Sequence, residues 1–156
     1  MNRQGRADFR TEYRTEDTGQ FAEAIAEAEK RCFSEPWSLG AVKVFLSYPY
    51  NHAVVSLTDS VFSGYITYTF LAGEIQIANV AVLPEFRRKG IADGLLDALF
   101  TWVEKHEAER AGLEVRASNV PARALYEKNG FVVVGTRRNF YKNPTEDAVL
   151  YDRYFQ

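Results

Sequence analysis

Apolar residues recur at helical spacing over residues 17–33, where Phe21, Ile25, Ala28 and Cys32 share one face. The spacing predicts an amphipathic helix there, with Asp17 and Thr18 as candidate caps. Pro36 breaks the pattern, and Ser38 is placed to cap a shorter helix through Val42, Phe45 and Leu46. The periodicity then becomes that of strands. Residues 52–57, 61–71 and 74–83 are rich in β-branched and aromatic side chains, separated by Asp59-Ser60 and Ala72-Gly73 turn signals. Three antiparallel strands in a meander are expected. Pro84 closes the third, and a long helix follows over 90–106 with Ile91, Leu95, Leu99 and Trp102 or Val103 as its apolar stripe. A short strand is expected at 113–116. A helix follows at 120–128, opened by Asn119 and stopped by Asn129-Gly130.

With a first strand at 8–13 and two final strands at 131–141 and 148–155, the order is strand, two helices, three strands, helix, strand, helix, two strands. That order predicts an α/β (α+β) fold: a mixed, mostly antiparallel sheet of about seven strands with about four helices on its faces. At 156 residues the chain reads as one domain over 1–156, with 1–7 a candidate disordered extension.

Charge and cysteine usage narrow the setting. A net charge of −2 argues against a protein that coats nucleic acid, which needs a cationic surplus. The single cysteine, Cys32, cannot form an internal disulfide, so a reducing, cytoplasmic compartment is expected. No apolar run approaches the roughly 20 residues of a membrane helix. His52 and His106 lie far apart with no Cys/His cluster around either, so no metal is expected. Oligomeric state is not set by these features, and a monomer is compatible with them. The aromatic share, 14%, is high; it fits either a packed core or an aromatic-lined groove.

The first segment with chemistry runs from Val80-Ala81-Val82 through Arg87-Arg88-Lys89-Gly90-Ile91-Ala92-Asp93. A strand ends, a basic turn follows, and a helix starts at a glycine. Unpaired N–H groups and the positive dipole end of a helix favour an anion, and a pyrophosphate suits such a turn best. A solvated basic turn is the plain alternative. No P-loop pattern occurs, and the preceding meander disfavours a dinucleotide fold.

Arg87-x-x-Gly90-x-Ala92 resembles the acetyl-CoA loop of the GNAT N-acetyltransferases, whose strand order is also the one expected here. Further blocks resemble the RimI-type protein N-terminal acetyltransferases within that family. These are 32–38 (CFSEPWS), 113–119 (LEVRASN), 124–131 (ALYEKNGF), 137–141 (RRNFY) and 146–148 (EDA). The resemblance covers most of the chain from about Asp17 onward. It implies acetyl-CoA as cosubstrate, with Val80, Ala81 and Val82 pairing with the pantetheine arm. The loop from Arg88 to Asp93 would wrap the pyrophosphate, and Asn119 would touch the cofactor or simply cap its helix. Asp93 departs from the basic residue common in such sequences, and an acid there repels phosphate.

The resemblance further implies Glu114 as general base and Tyr126 as general acid. Those residue types suit acetyl transfer, which needs a neutral amine and a protonated leaving thiol. Deprotonating lysine at neutral pH costs about 3.5 kcal/mol more than deprotonating an α-amine, so one carboxylate suits an α-amine acceptor. A solvent-facing strand Glu and a core Tyr are the plain readings. Trp37 and Tyr141 match aromatics lining an acceptor groove, with core packing as the alternative for each. The acceptor implied is a protein N-terminus with a small first residue, alanine of a ribosomal protein. A family member acting on a small amine or lysine, and an acetyl-CoA-binding regulator without turnover, are the competing functions.

Overall fold

The computed structural model describes residues 10–156. Seven strands form one sheet in the order β1-β2-β3-β4-β5-β7-β6: β1 Thr11–Arg14, β2 Asn51–Thr58, β3 Val61–Leu71, β4 Glu74–Val82, β5 Arg110–Arg116, β6 Val132–Tyr141 and β7 Glu146–Tyr154. Four helices accompany it: α1 Ala22–Cys32, α2 Leu39–Ser47, α3 Ile91–His106 and α4 Val120–Lys128. All pairings are antiparallel except β4 with β5. The expected element order and mixed sheet are found.

The meander turns on Asp59-Ser60 and Ala72-Gly73, and all four residues have positive φ. Two central residues of that kind suit the right-handed twist of the paired strands. Ser38 caps α2 as expected, its Oγ accepting from Ala41 N–H at 3.1 Å. The start of the first helix differs from expectation. Asp17 is left-handed and makes no side-chain cap; it leads into a 3-10 turn, Thr18–Phe21, before α1 begins. The first strand was expected from residue 8; residues 8 and 9, with the candidate extension 1–7, lie outside the described residues. β5 begins three residues earlier than its apolar pattern suggests, because Arg110, Ala111 and Gly112 pair with β4 on one side and β7 on the other.

Two apolar clusters separate along the alternation of the strands. Val54, Ile66, Tyr68, Ile75 and Ile77 pack against Leu95, Leu99 and Trp102 of α3, with Tyr126 of α4 in the same cluster. Val55, Tyr65 and Ala81 pack with Ile25 of α1 and Val42 of α2. In β4 the alternation slips. Thr67 pairs with Asn79 while Tyr68 pairs with Ile77, so Ala78 is an extra, bulged residue. Ile75 and Ile77 join the α3 cluster before the bulge, and Val80 and Val82 pack against it afterwards. One extra residue thus keeps both halves of the strand packed on the same cluster.

β4 and β5 pair only over Glu74–Arg110, Ile75–Ala111 and Gln76–Gly112. Past those three rungs they separate, and the rest of β4, with Val80 to Val82, faces β5 across a wedge.

Candidate active site

A cavity of about 450 Å³ fills the mouth of the wedge. Of the residues singled out in the sequence, Trp37, Val80, Glu114, Asn119, Tyr126 and Tyr141 line it together. They come from the α1–α2 loop, β4, β5, the start of α4 and the end of β6, elements that meet only through the sheet.

Glu114 stands on β5, opposite Leu150 of β7, and its Oε1 accepts from Gln76 Nε2 across the wedge at 3.3 Å. Tyr126 sits on α4 with its ring against Phe131 and Tyr151, at centroid distances of 5.8 and 6.1 Å. The side chain is almost enclosed, and burial pushes its phenol above the ordinary tyrosine range. Its hydroxyl has no hydrogen-bond partner among the described residues. A protonated donor and an accepting carboxylate therefore share one cavity.

α4 is fixed to the sheet by Arg123, which donates from Nε to the Tyr151 hydroxyl at 3.0 Å, while that hydroxyl donates to Glu127 at 2.7 Å. Asn119 caps the helix, its Oδ1 accepting from Ala122 N–H at 3.2 Å, and also lines the cavity. The two readings of Asn119 are compatible.

Tyr141 is held by Arg116. The guanidinium lies 4.6 Å from its ring centroid and donates to the carbonyls of Lys142 and Pro144 at 2.7 and 2.8 Å, with Glu146 at 3.3 Å. Arg116 thereby clamps the β6–β7 turn beside the cavity. Burial, then the charge of Glu114, pushes the Tyr141 phenol up to about 12. On the opposite wall Trp37 packs on Phe45 with centroids 5.1 Å apart. Core packing and cavity lining both describe Trp37. The two walls touch where Asn143 Nδ2 donates to Glu35 at 3.2 Å.

The basic loop lies beyond the cavity, at the start of α3. Arg87, Arg88, Lys89 and Gly90 are exposed. Gly90 precedes the helix with φ 78° and no side-chain cap, and a Cβ placed there would meet nothing within 4 Å. The positive φ, not close packing, is what asks for glycine. Arg87 turns back, donating from Nε to Val82 O at 2.9 Å, so it braces the strand end. Ile91 is in the core, leaving only its backbone for a ligand; Ala81 is buried against α1, and Val82 packs towards α3. Ala92 and Asp93 are half-buried in the first turn.

Asn129 and Lys128 hold the Asp93 carboxyl below its ordinary value, Asn129 contributing most. The unfilled N-terminal amides, open space and nearby cations fit a pyrophosphate, and the free strand edges of the wedge fit an extended, amide-bearing arm. Among the described residues no group of three or more His, Cys, Asp or Glu is arranged for a metal ion, and no helix is long and apolar enough to cross a membrane.

Sequence reasoning missed Glu29, which lines the cavity from α1 with its side chain almost wholly enclosed. A signal was present: Glu29 stands four residues after Ile25, a charge on the apolar face.

Residues 22–131 match the model of the Acetyltransferase (GNAT) family. The chain belongs to the GNAT family. It is similar to the [ribosomal protein bS18]-alanine N-acetyltransferase of Escherichia coli K12, at 35% identity over 129 residues, 81% of this chain and 86% of that protein. The Haemophilus influenzae protein of the same description is 33% identical over 131 residues, 82% of this chain and 88% of that one. The crystal structure of the Escherichia coli ribosomal-protein-S18-alanine N-acetyltransferase superposes with TM-score 0.83 at 29% identity, covering 93% of this chain and 94% of that one. Arabidopsis thaliana NAA60 in complex with acetyl-CoA shares the fold, with TM-score 0.84 at 15% identity over 94% of this chain and 99% of that one. As a GNAT protein with relatives of this kind, the chain is an acyltransferase of the N-acetyltransferase type.

Proposed function

We propose that this GNAT protein transfers acetyl from acetyl-CoA to the N-terminal α-amine of a protein, with alanine of a ribosomal protein as the acceptor and the cytoplasm as its setting. The observation that carries this reading is the meeting of Glu114 and Tyr126 in one cavity between the aromatic walls Trp37 and Tyr141. The similarity to bS18-alanine N-acetyltransferases supports the acceptor class.

Charge is divided along the site in the same sense. Glu29, Glu35 and Glu114 line the cavity, where Arg116, the only cation among the described residues that line it, is already engaged by Glu146. Arg87, Arg88 and Lys89 lie at the other end. A cationic amine is drawn to the first region and a polyanionic cosubstrate to the second.

Acetyl-CoA supplies the acyl group as an activated thioester. In this reading the backbone of Val80, Ala81 and Val82 pairs with its arm, and the amides from Arg88 to Asp93 hold its pyrophosphate, with Asn119 alongside. Arg87 acts through the strand end that it braces. Glu114, directly or through a water, takes the proton from the acceptor amine. Tyr126, kept protonated by burial, gives its proton to the departing sulfur. Trp37 and Tyr141 confine the first residue of the acceptor.

The test is CoA release with peptides beginning Ala, Ser or Gly, set against a peptide with a blocked terminus and an internal Lys. Turnover with free small-residue termini is expected. Acetylation of the blocked lysine peptide alone overturns the reading.

A further inference from the structure

Glu29 takes no part in the proton path proposed above, yet it is the most enclosed carboxylate of the cavity, at 1% exposure. Its Oε2 accepts from Asn79 Nδ2 at 2.7 Å and from the Tyr65 hydroxyl in a short bond. Its Oε1 accepts from the backbone N–H of Trp37 at 2.9 Å. No cation pairs with it among the described residues. Burying a carboxylate with no cation beside it is costly and is tolerated only where hydrogen bonds satisfy it, as these three donors do. Its neighbours on the same face, Ile25 and Ala28, are apolar. The arrangement is therefore explained by direction more than by burial.

The three donors fall into two groups. Tyr65 on β3 and Asn79 on β4 belong to the central sheet, and they grip one oxygen. Trp37 belongs to the loop between α1 and α2, outside any regular element, and it takes the other. Trp37 N–H meets the carboxylate eight residues away in sequence, and its indole forms a cavity wall. The carboxylate works as a bracket that transfers the rigidity of the sheet to that wall.

We infer that Glu29 is a positioning residue for the acceptor: through the Trp37 amide it sets the wall against which the acceptor's first residue rests. This rests on the N-acetyltransferase reading above. It assigns Glu29 to acceptor recognition and leaves the acetyl-CoA side to β4 and the start of α3.

Three variants at this position separate bracketing from packing. Glu29→Met fills the volume with an unbranched apolar chain, and Glu29→Ala empties it. Glu29→Gln retains one oxygen for the obligate Trp37 donor, while Tyr65 and Asn79 can each turn an acceptor to the new amide. Glu29→Met leaves the three donors unpaired and is expected to lower the thermal midpoint while the protein stays folded at the assay temperature; in that folded protein the acceptor KM is expected to rise about tenfold, with the acetyl-CoA KM within about twofold. Glu29→Gln should recover most of that loss. A wild-type acceptor KM in Glu29→Met, or an acetyl-CoA KM that rises equally, overturns the inference.

Hydrogen exchange of the Trp37 amide gives a readout that needs no acceptor. It is expected to be slow in the wild type and in Glu29→Gln, and fast in Glu29→Met and in any folded Glu29→Ala. Slow exchange in Glu29→Met overturns the inference whatever the kinetics. A wild type inactive on every free-terminus peptide would count against the proposed function alone, since the exchange result still decides the bracket.

Discussion

Asp93 in the first turn of α3 and Lys128 at the end of α4 meet at 3.0 Å, with Asn129 donating to the other Asp93 oxygen at the same distance. The acid that would repel a phosphate at the start of α3 is thus engaged by the neighbouring helix. Lys128→Ala should uncover its charge and weaken acetyl-CoA binding about two- to fivefold at low salt, with the effect shrinking as salt rises. The double variant with Asp93→Asn should return to wild-type affinity. Titration calorimetry of the wild type, Lys128→Ala and the double variant checks this; unchanged binding in Lys128→Ala refutes the shielding role.

The catalytic assignment predicts two different pH signatures. Glu114→Gln should lower kcat/KM by about 10²–10⁴-fold, most severely at low pH, where the acceptor amine is protonated and a base matters most. Tyr126→Phe should lower it at every pH, because burial keeps that phenol protonated throughout the working range. Profiles from pH 6 to 9 decide between the roles, and wild-type values in both variants would exclude them.

Acid stability should fall in two stages. Burial, and to a lesser degree His106, lowers the His52 value below 6.5; the unfolded chain thus binds this proton first, and stability starts to fall as pH drops through 6.5. Asp93, Glu74, Glu85 and Glu146 are held low chiefly by Asn129, Arg110, Arg31 and Ser118 respectively. Their contribution is complete above the unfolded value, 4.5 for a glutamate, and is lost as pH falls through the lower folded values. Calorimetric Tm between pH 3 and 8 should show both stages. His52→Gln should remove the upper one and leave the lower.

Gly64→Ala tests the tightness of the central sheet. A Cβ on this β3 residue would lie 2.7 Å from the backbone oxygen of Ala81 and 3.3 Å from Leu95 Cδ1. Neither β4 nor α3 can yield without disturbing the wedge. A loss of about 1–3 kcal/mol is expected, roughly 3–10 °C in Tm. An unchanged Tm would mean that β4 shifts freely.

The meander was legible because alternation and two turn signals are local, and so was α2, whose Ser38 cap is three residues from its donor. The phosphate loop announced itself through Gly90 and its cations. Ile91 was legible as part of the apolar stripe of the helix that follows, and it is buried; the reach of Arg87 to Val82 did not show, since it depends on how the loop folds back. Glu29 was the largest omission. Its partners Tyr65 and Asn79 lie 36 and 50 residues away, and a lone glutamate on a helix reads as a solvent charge until the sheet covers it. The bulge, by contrast, left a mark: the apolar positions 75, 77, 80 and 82 break step at Ala78.

A strand edge normally invites another chain, and proteins guard such edges because they seed aggregation. Here β4 and β5 part after three rungs, so two edges lie inside the sheet and face each other. A slender, extended molecule can enter the gap and borrow strand-like pairing, whereas a second sheet is too broad to follow. The wedge thus turns two pairing edges inward, towards each other, instead of presenting them along the rim of the sheet.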